Sequence, residues 1–206
     1  MVPFLRKLVK IDTQVPPGRN YDVICRVLGD KLSGLGCSVE ILEAPEEYLK
    51  LSGADHMGLE GPRSNLVARY DGRNRKPVLH ISAHIDTAAI QQEGWTHDPL
   101  AGEITETSPN GKSIYDKGGG YIWGRGVSDD KGELVAMIMA LEALHETGAK
   151  LEGDLVLTGN CDEEIGGVAG LGFLMNEGKV KADYGLQWDG GLGGIGLAAQ
   201  RARAEP

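Results

Sequence analysis

The chain has 206 residues, which is enough for one sizeable domain with a full hydrophobic core. Its net charge of -9 argues against a nucleic-acid partner, which requires a basic surface, and against an anionic membrane surface. The N-terminus has no secretory signal pattern and no stretch approaches the roughly 20 apolar residues of a membrane span, so we expect a cytoplasmic protein.

The first half of the chain alternates helices with strands. Apolar side chains at helical spacing predict a short helix over residues 4–10 and an amphipathic helix over residues 20–35, which Gly34 and Gly36 end. A turn is predicted between them at residues 16–18, where two prolines precede a glycine. Strands are then predicted at residues 38–42, 65–70 and 77–86.

The second half continues this alternation after a loop-rich stretch over residues 93–120, in which Asn110-Gly111 is a hairpin signal. A long helix is predicted from Lys131 to Gly148. A strand, a helix and a further strand are predicted at residues 154–160, 170–177 and 183–189. The order of elements predicts an α/β fold, a three-layer sandwich around a mostly parallel or mixed sheet.

The three cysteines, Cys25, Cys37 and Cys161, have the spacing of neither a disulfide framework nor a thiolate metal site. Cys161 lies two residues before Glu163, so a nucleophilic thiol is one interpretation. The other, which we favour, is a small buried side chain at the end of a strand.

His84 and Asp86 end the third predicted strand, a position where sites form in α/β proteins. Residues two apart on an extended segment point to the same face, so His84 could bind a metal while Asp86 fixes its tautomer. A loop histidine beside an ordinary surface aspartate is the alternative.

Further acidic residues follow at three points in the chain. Asp129 precedes the long helix, where a carboxylate can bridge two cations or, as Asp129-Asp130, simply cap the helix. Glu163-Glu164 follows a strand, and Gly166-Gly167 predicts a turn that lets both glutamates serve one site. Metal-assisted hydrolysis requires such a pair, one ligand beside one free carboxylate, and an acidic loop is the alternative. Asp189 ends the last strand.

Residues 191–196 match the G-x-G-x-x-G pattern of dinucleotide-binding loops. Such a site also needs a helix and an acidic residue about 20 positions later. Only ten residues follow, so we do not assign a nucleotide site.

Together these motifs resemble metallopeptidase family M20, which contains acetylornithine deacetylase, succinyl-diaminopimelate desuccinylase, aminoacylase, carboxypeptidase G and dipeptidases. The resemblance is carried by I-D-T-Q-V-P-P-G, S-A-H-I-D-T, G-W-T-H-D-P-L, Y-I-W-G-R-G-V-S-D-D-K-G, C-D-E-E-I-G-G and W-D-G. It runs over nearly the whole chain. It implies a zinc-peptidase catalytic domain that hydrolyses amide bonds in small peptides or N-acyl amino acids.

The resemblance also implies two zinc ions, with cobalt or manganese as alternatives. The implied ligands are His84 and Asp189 on one ion, Glu164 on the other, and Asp129 as the bridge between them. The peptide bond from Asp129 to Asp130 would be cis. Glu163 would act as the general base, and Asp86 would orient His84.

The chain departs from the family pattern in two respects. Family members are considerably longer, because they carry an inserted lid domain, through which many form homodimers, and a later histidine for the second zinc. Here no histidine follows His145. We therefore expect residues 1–196 to be the N-terminal part of a catalytic domain and residues 197–206 to be a truncated or aberrant tail. His97 would be structural.

Two alternatives to an active hydrolase stay open. In the first, the chain is a catalytically incomplete fragment or pseudoenzyme that binds at most one metal. His84, Asp129 and Asp189 supply three ligands to one ion, whereas Asp129 and Glu164 leave the other short. In the second, another polypeptide supplies the missing half of the domain.

Overall fold

The structure is a computed structural model that describes residues 1–91, 93–106, 120–187 and 189. Its helices are α1 (Val2–Val9), α2 (Tyr21–Gly34), α3 (Glu46–Ser52), α4 (Lys131–Glu146) and α5 (Phe173–Asn176). Its strands are β1 (Gln14–Val15), β2 (Ser38–Glu43), β3 (Ser64–Tyr70), β4 (Leu79–His84), β5 (Thr87–Ala88), β6 (Glu103–Thr105), β7 (Tyr121–Trp123), β8 (Leu155–Asn160) and β9 (Tyr184–Gln187). The Asn110-Gly111 signal, the glycine pattern at 191–196 and the predicted tail at 197–206 lie outside the described residues.

Five strands form the main sheet, in the order β2-β3-β8-β4-β9. The β2/β3 and β3/β8 pairs are antiparallel, and the β8/β4 and β4/β9 pairs are parallel. The prediction of an α/β fold around a mixed sheet is therefore confirmed. The carboxyl ends of the parallel strands β8, β4 and β9 meet at one edge, where sites form in such sheets.

The hydrophobic core lies on both faces of this sheet. All six residues of β8 are buried, and side chains alternate between faces along a strand, so both faces are covered as a three-layer sandwich requires. Helix α2 packs against β2 and β3, while α4 packs against β4 and α1. Within the described part of the chain, none of the helices has the length and apolar content needed to cross a membrane.

The structure differs from the predicted elements at several points. The short strands β1 and β5 and the helix α3 were not predicted. Strand β6 lies within the stretch interpreted as loop, and it pairs antiparallel with β7, which begins directly after that stretch. The helix predicted at 170–177 is a π-helical turn, Val168–Gly172, followed by α5. Gly170, with φ of -92 and ψ of -115, interrupts the helix. Its backbone passes close to the residue after β8, since a Cβ on Gly170 would lie 2.0 Å from the carbonyl oxygen of Cys161.

Candidate metal centre

The predicted site residues converge at the carboxyl edge of the parallel strands. His84 is the last residue of β4, and Asp129 lies two residues before α4. Glu163 and Glu164 occupy a short 3-10 helix, Glu163–Ile165, directly after β8, and Asp189 follows β9. Residues that are up to 105 positions apart in the sequence therefore share one corner of the fold.

Three of these residues form a compact cluster of ligand atoms. One atom each from His84, Asp129 and Asp189 lies within 4.8 Å of the others. The Nε2 atom of His84 is 2.8 Å from Oδ1 of Asp129. One imidazole and two carboxylates are ligands that zinc accepts, and three protein ligands leave a fourth position for substrate or water. The donor set therefore fits one zinc ion.

The imidazole of His84 is held from its other side. Its Nδ1–H donates to the backbone carbonyl of Asp86 at 3.0 Å, which directs Nε2 towards Asp129. Burial lowers the pKa of His84, but the carboxylates of Asp86, Asp130 and Asp129 outweigh burial and raise the pKa to about 10. A cation that takes Nε2 must therefore displace a proton.

Asp86 contacts more than the histidine. It is fully buried, and its Oδ1 and Oδ2 accept the backbone N–H groups of Glu163 and Glu164, each at 3.1 Å. Its Oδ1 lies 3.5 Å from Nδ1 of His84, farther than its own carbonyl oxygen. The strand was predicted to end at Asp86 but ends at His84. Asp86 therefore lies in the loop after β4, and its carboxylate contacts the backbone of the turn that bears the two glutamates.

The turn predicted at Gly166-Gly167 is present and brings both glutamates to the site. Gly166 and Gly167 have φ of 103 and 66, a region that favours glycine. Glu163 Oε2 lies 3.9 Å from Nε2 of His84. Partial burial raises the pKa of Glu163, the charge of His84 opposes this, and nearby carboxylates led by Asp189 add to it. A carboxylate with a raised pKa beside a candidate metal site is suited to accept a proton, as a general base does.

Glu164 stands apart from the three-residue cluster. Its Oε1 accepts the backbone N–H of Ala88 at 2.8 Å. Partial burial raises the pKa of Glu164, an effect opposed by the Ala88 N–H and reinforced by the charge of Asp129. The charge of Asp129 thus acts on Glu164, but the three-residue ligand cluster found among the described residues does not include Glu164.

Asp130 was not singled out as a site residue, yet it supports the site directly. It lies at the start of α4, where a capping role was considered, but its side chain makes no cap bond. Its buried Oδ2 instead accepts the backbone N–H of His84 at 2.7 Å. The Asp129–Asp130 peptide bond is cis, as the family resemblance implied. Burial raises the pKa of Asp130 to about 10, and the neighbouring Glu133 adds to this.

The N-terminal I-D-T-Q segment forms hydrogen bonds with the loop after β4 and with the start of α4. Thr13 Oγ1 donates to the carbonyl of Ile85 at 2.8 Å, and the Thr13 carbonyl accepts the N–H of Thr87 at 3.1 Å. The buried ammonium of Lys131, next to Asp130, donates to the carbonyls of Leu8 and Ile11 at 3.1 and 2.7 Å. The motif was visible in the sequence, but its contacts were not, since a lysine at a helix start gives no sign of burial.

Two residues considered at the sequence level lie outside the cluster. His97 donates from Nδ1 to Oε2 of Glu103 at 2.9 Å, and the centre of its ring lies 4.3 Å from that of Trp123. Its structural role stays a prediction. Cys161 is fully buried with its sulfur 3.4 Å from the carbonyl of Ala169. This burial agrees with the interpretation as a small buried side chain at the end of a strand, and it raises the pKa of Cys161 well above its ordinary value.

Comparison with known proteins decides the family. Residues 80–200 match the model of "Peptidase family M20/M25/M40". The chain belongs to this family. Its relatives include an N-formyl-4-amino-5-aminomethyl-2-methylpyrimidine deformylase of Bacillus subtilis, 28% identical over 171 residues, which are 81% of this chain and 33% of that protein. A probable carboxypeptidase S-like protein of Dictyostelium discoideum is 32% identical over 122 residues, 55% of this chain and 21% of that protein.

The fold comparison agrees with the family. The structure of human carnosine dipeptidase 1 superposes with a TM-score of 0.67 at 22% identity, covering 92% of this chain and 38% of that one. The M20 family chain therefore has the expected fold. It spans about a third or less of the length of the two curated relatives named above.

Proposed function

We propose that this chain carries the metal-binding loops of a metal-dependent hydrolase that cleaves amide bonds in small peptides or N-acyl amino acids. The observation that supports this most directly is the cluster of His84, Asp129 and Asp189, with Glu163 3.9 Å from the histidine. Its family relatives include one named as a deformylase and one named as a probable carboxypeptidase S-like protein.

Each residue has a role in this proposal. His84, Asp129 and Asp189 would hold one zinc ion, and Asp129 and Glu164 would contribute to a second, with cobalt or manganese as alternatives. A bound ion would polarise the substrate carbonyl and lower the pKa of a water molecule. Glu163 takes the proton from the attacking water and returns it to the leaving nitrogen, a use of one carboxylate as base and then acid.

The buried groups around this set keep it in place. Asp86 fixes the turn that bears Glu163, and Asp130 fixes the backbone of His84. Such partners behind the ligands restrict their orientation and are needed for tight metal binding. In this proposal the chain provides a preorganised ligand set and a base.

A second candidate, a fragment or pseudoenzyme that binds at most one metal, is favoured by a specific observation. The cluster found among the described residues contains one imidazole, and Glu164 is bonded to the N–H of Ala88. Of the described residues, the family resemblance assigns only Asp129 and Glu164 to a second ion, fewer than the three or four ligands usual for zinc. Completion of the site by a separate polypeptide is the third candidate.

Metal analysis of the purified 206-residue chain separates these candidates. Two tightly held zinc ions per chain, together with turnover of a dipeptide or N-acetyl amino acid, would support the hydrolase. One zinc ion without turnover supports the fragment, and turnover that appears only with a co-purified, histidine-bearing partner supports completion in trans. A chain that binds no zinc at all contradicts the metal-centre proposal.

A further inference from the structure

The turn that carries Glu163 and Glu164 begins at a buried residue, Asp162. Asp162 is 1% exposed and has a φ of 59, in the left-handed region. Its carbonyl accepts the N–H groups of Ile165 at 3.2 Å and Gly167 at 2.7 Å. The conformation of Asp162 therefore sets the direction in which the turn leaves strand β8.

Two buried side chains hold the carboxylate of Asp162. The hydroxyl of Tyr21 donates to its Oδ1 at 2.8 Å, and Nη1 of Arg63 lies 3.5 Å from the same oxygen. Tyr21 and Arg63 are both buried, and the guanidinium carbon of Arg63 lies 5.1 Å from the centre of the Tyr21 ring. Because Oδ2 has no hydrogen-bond partner among the described residues, the carboxylate is oriented through Oδ1.

Arg63 is itself fixed by backbone oxygen atoms. It donates to the carbonyls of Gly18 at 2.9 Å, Pro17 at 3.1 Å and Glu60 at 3.1 Å. A side chain at Gly18 is excluded, since a Cβ there would lie 2.0 Å from Nη1 of Arg63. A buried ion pair is weak evidence for added stability, because desolvation offsets its attraction. The buried charge at this turn therefore points to a role in specifying conformation.

We propose that Tyr21, Arg63 and Asp162 are positioning residues, which fix the turn that presents Glu163 and Glu164 to the metal centre. The proposal rests on the proposed function in one respect, namely that the two glutamates serve a metal. The three residues do not touch the ligand atoms of the cluster. They act through the backbone of the turn.

The turn is held at a second point, by Asp86. Loss of the Tyr21–Asp162 hydrogen bond should therefore have only a local effect. The carboxylate of Asp86 accepts the N–H groups of Glu163 and Glu164 from the opposite loop. When the Tyr21 hydroxyl is removed, the bonds from Asp86 to the turn remain. The turn can then open locally at Asp162, where the hydrogen bond has been lost. Local opening of this kind is measured by amide hydrogen exchange.

The first test is Tyr21→Phe, which removes the hydroxyl and keeps the buried ring. In the metal-free 206-residue chain, we expect amide exchange of Glu163, Glu164 and Gly167 to accelerate by about tenfold or more, the effect of losing a hydrogen bond to a charged group. Amides in the interior of strand β8 should keep their exchange rates, because the core around them is unchanged.

The matched control is Tyr48→Phe, a tyrosine that makes the same type of bond elsewhere. Tyr48 is 5% exposed and donates to Oε1 of Glu177 at 2.7 Å. A second test variant, Arg63→Lys, keeps a positive charge but lacks the fork that reaches three carbonyls. Arg63→Lys should accelerate hydrogen exchange of the same three amides. It tests the positioning role by itself in the case that Tyr21→Phe does not fold.

Metal binding provides the second measurement, with Co²⁺ as the probe. Tyr21→Phe should weaken Co²⁺ affinity by about tenfold, whereas Tyr48→Phe should leave it within about twofold of the wild-type chain. The proposal is overturned when the turn amides keep wild-type exchange rates in both test variants, or when Tyr48→Phe accelerates them equally. A wild-type chain that binds no Co²⁺ contradicts the metal-centre function instead, and the exchange rates still decide the positioning role.

Discussion

Oδ1 of Asp86 accepts the backbone N–H of Glu163 at 3.1 Å, although the two residues are 77 positions apart. The same side chain bonds the next amide, and its carbonyl accepts the Nδ1–H of His84. One buried residue therefore links the histidine loop after β4 to the glutamate turn after β8. A change at Asp86 should disturb both halves of the candidate metal centre together.

Asp86→Asn is expected to weaken zinc binding by about 10- to 100-fold. An amide has one acceptor oxygen, so one of the two backbone N–H groups loses its partner and faces an NH₂ group. Isothermal titration of the chain with zinc measures the effect. The control is Asp154→Asn, at a partly buried aspartate whose Oδ1 accepts the N–H of Gly72 at 2.8 Å. Equal zinc affinity in Asp86→Asn and the wild-type chain would count against the link.

Glu163→Gln tests the proposed base. The substitution keeps the size of the side chain and removes its ability to take a proton, so the proposed hydrolysis should fall by about 100-fold or more while zinc content is unchanged. Initial rates with a dipeptide and zinc analysis of the same samples measure both quantities. Loss of zinc in Glu163→Gln would overturn the assigned role, because it would make Glu163 a ligand.

Gly132→Ala should destabilise the fold next to Asp129. A Cβ on Gly132 would lie 2.2 Å from the carbonyl oxygen of Val127, so the loop before α4 must move. We expect a loss of about 1–3 kcal/mol in the free energy of unfolding. Gly34→Ala is the control, since a Cβ at this α2 residue meets nothing within 4 Å and should be neutral or stabilise by about 0.5 kcal/mol.

Urea unfolding of the two glycine variants provides the comparison. Both substitutions add one methyl group to a helix, so the difference between them isolates the contact with Val127. Similar unfolding midpoints for Gly132→Ala and Gly34→Ala would show that the loop before α4 yields without cost.

His80 predicts a pH dependence of stability that is separate from the metal ligands. It is 6% exposed with Nε2 2.9 Å from Oγ1 of Thr158, and burial, aided by the charge of Arg69, lowers its pKa from 6.5 to about 4. Between these pH values the unfolded chain binds a proton at His80 and the folded chain does not. His80 therefore does not lower the free energy of unfolding above pH 6.5. As the pH falls from 6.5 towards 4, the free energy of unfolding decreases by up to about 1.4 kcal/mol for each pH unit.

Chemical unfolding at a series of pH values between 4 and 7 measures this contribution. The metal-free His80→Asn variant should show a shallower loss of unfolding free energy than the wild-type chain over that range. The control, His145→Asn, changes an exposed residue of α4. Parallel pH profiles for the wild-type chain and His80→Asn would contradict the lowered pKa.

Much of the fold was predictable because its signals are local. The spacing of apolar side chains predicted α2 and α4, and apolar runs predicted β3, β4 and β8, all with small differences at their ends. Strands β1 and β5 have two residues each, too few for any periodic pattern, and they form only because their backbones meet. The site residues were recognised from residue types and their order, and their proposed roles stay predictions.

The sequence by itself determined the family, the α/β fold and the set of candidate ligands. Sequence motifs and the periodicity of apolar side chains are local, because they depend only on residues that are close together along the chain. Only the tertiary structure decided how the set is held. Asp86 supports the glutamate turn, Asp130 supports the backbone of His84, and Lys131 bonds to the end of α1. These bonds join residues 46 to 123 positions apart, and a buried partner at that distance leaves no trace in the local sequence.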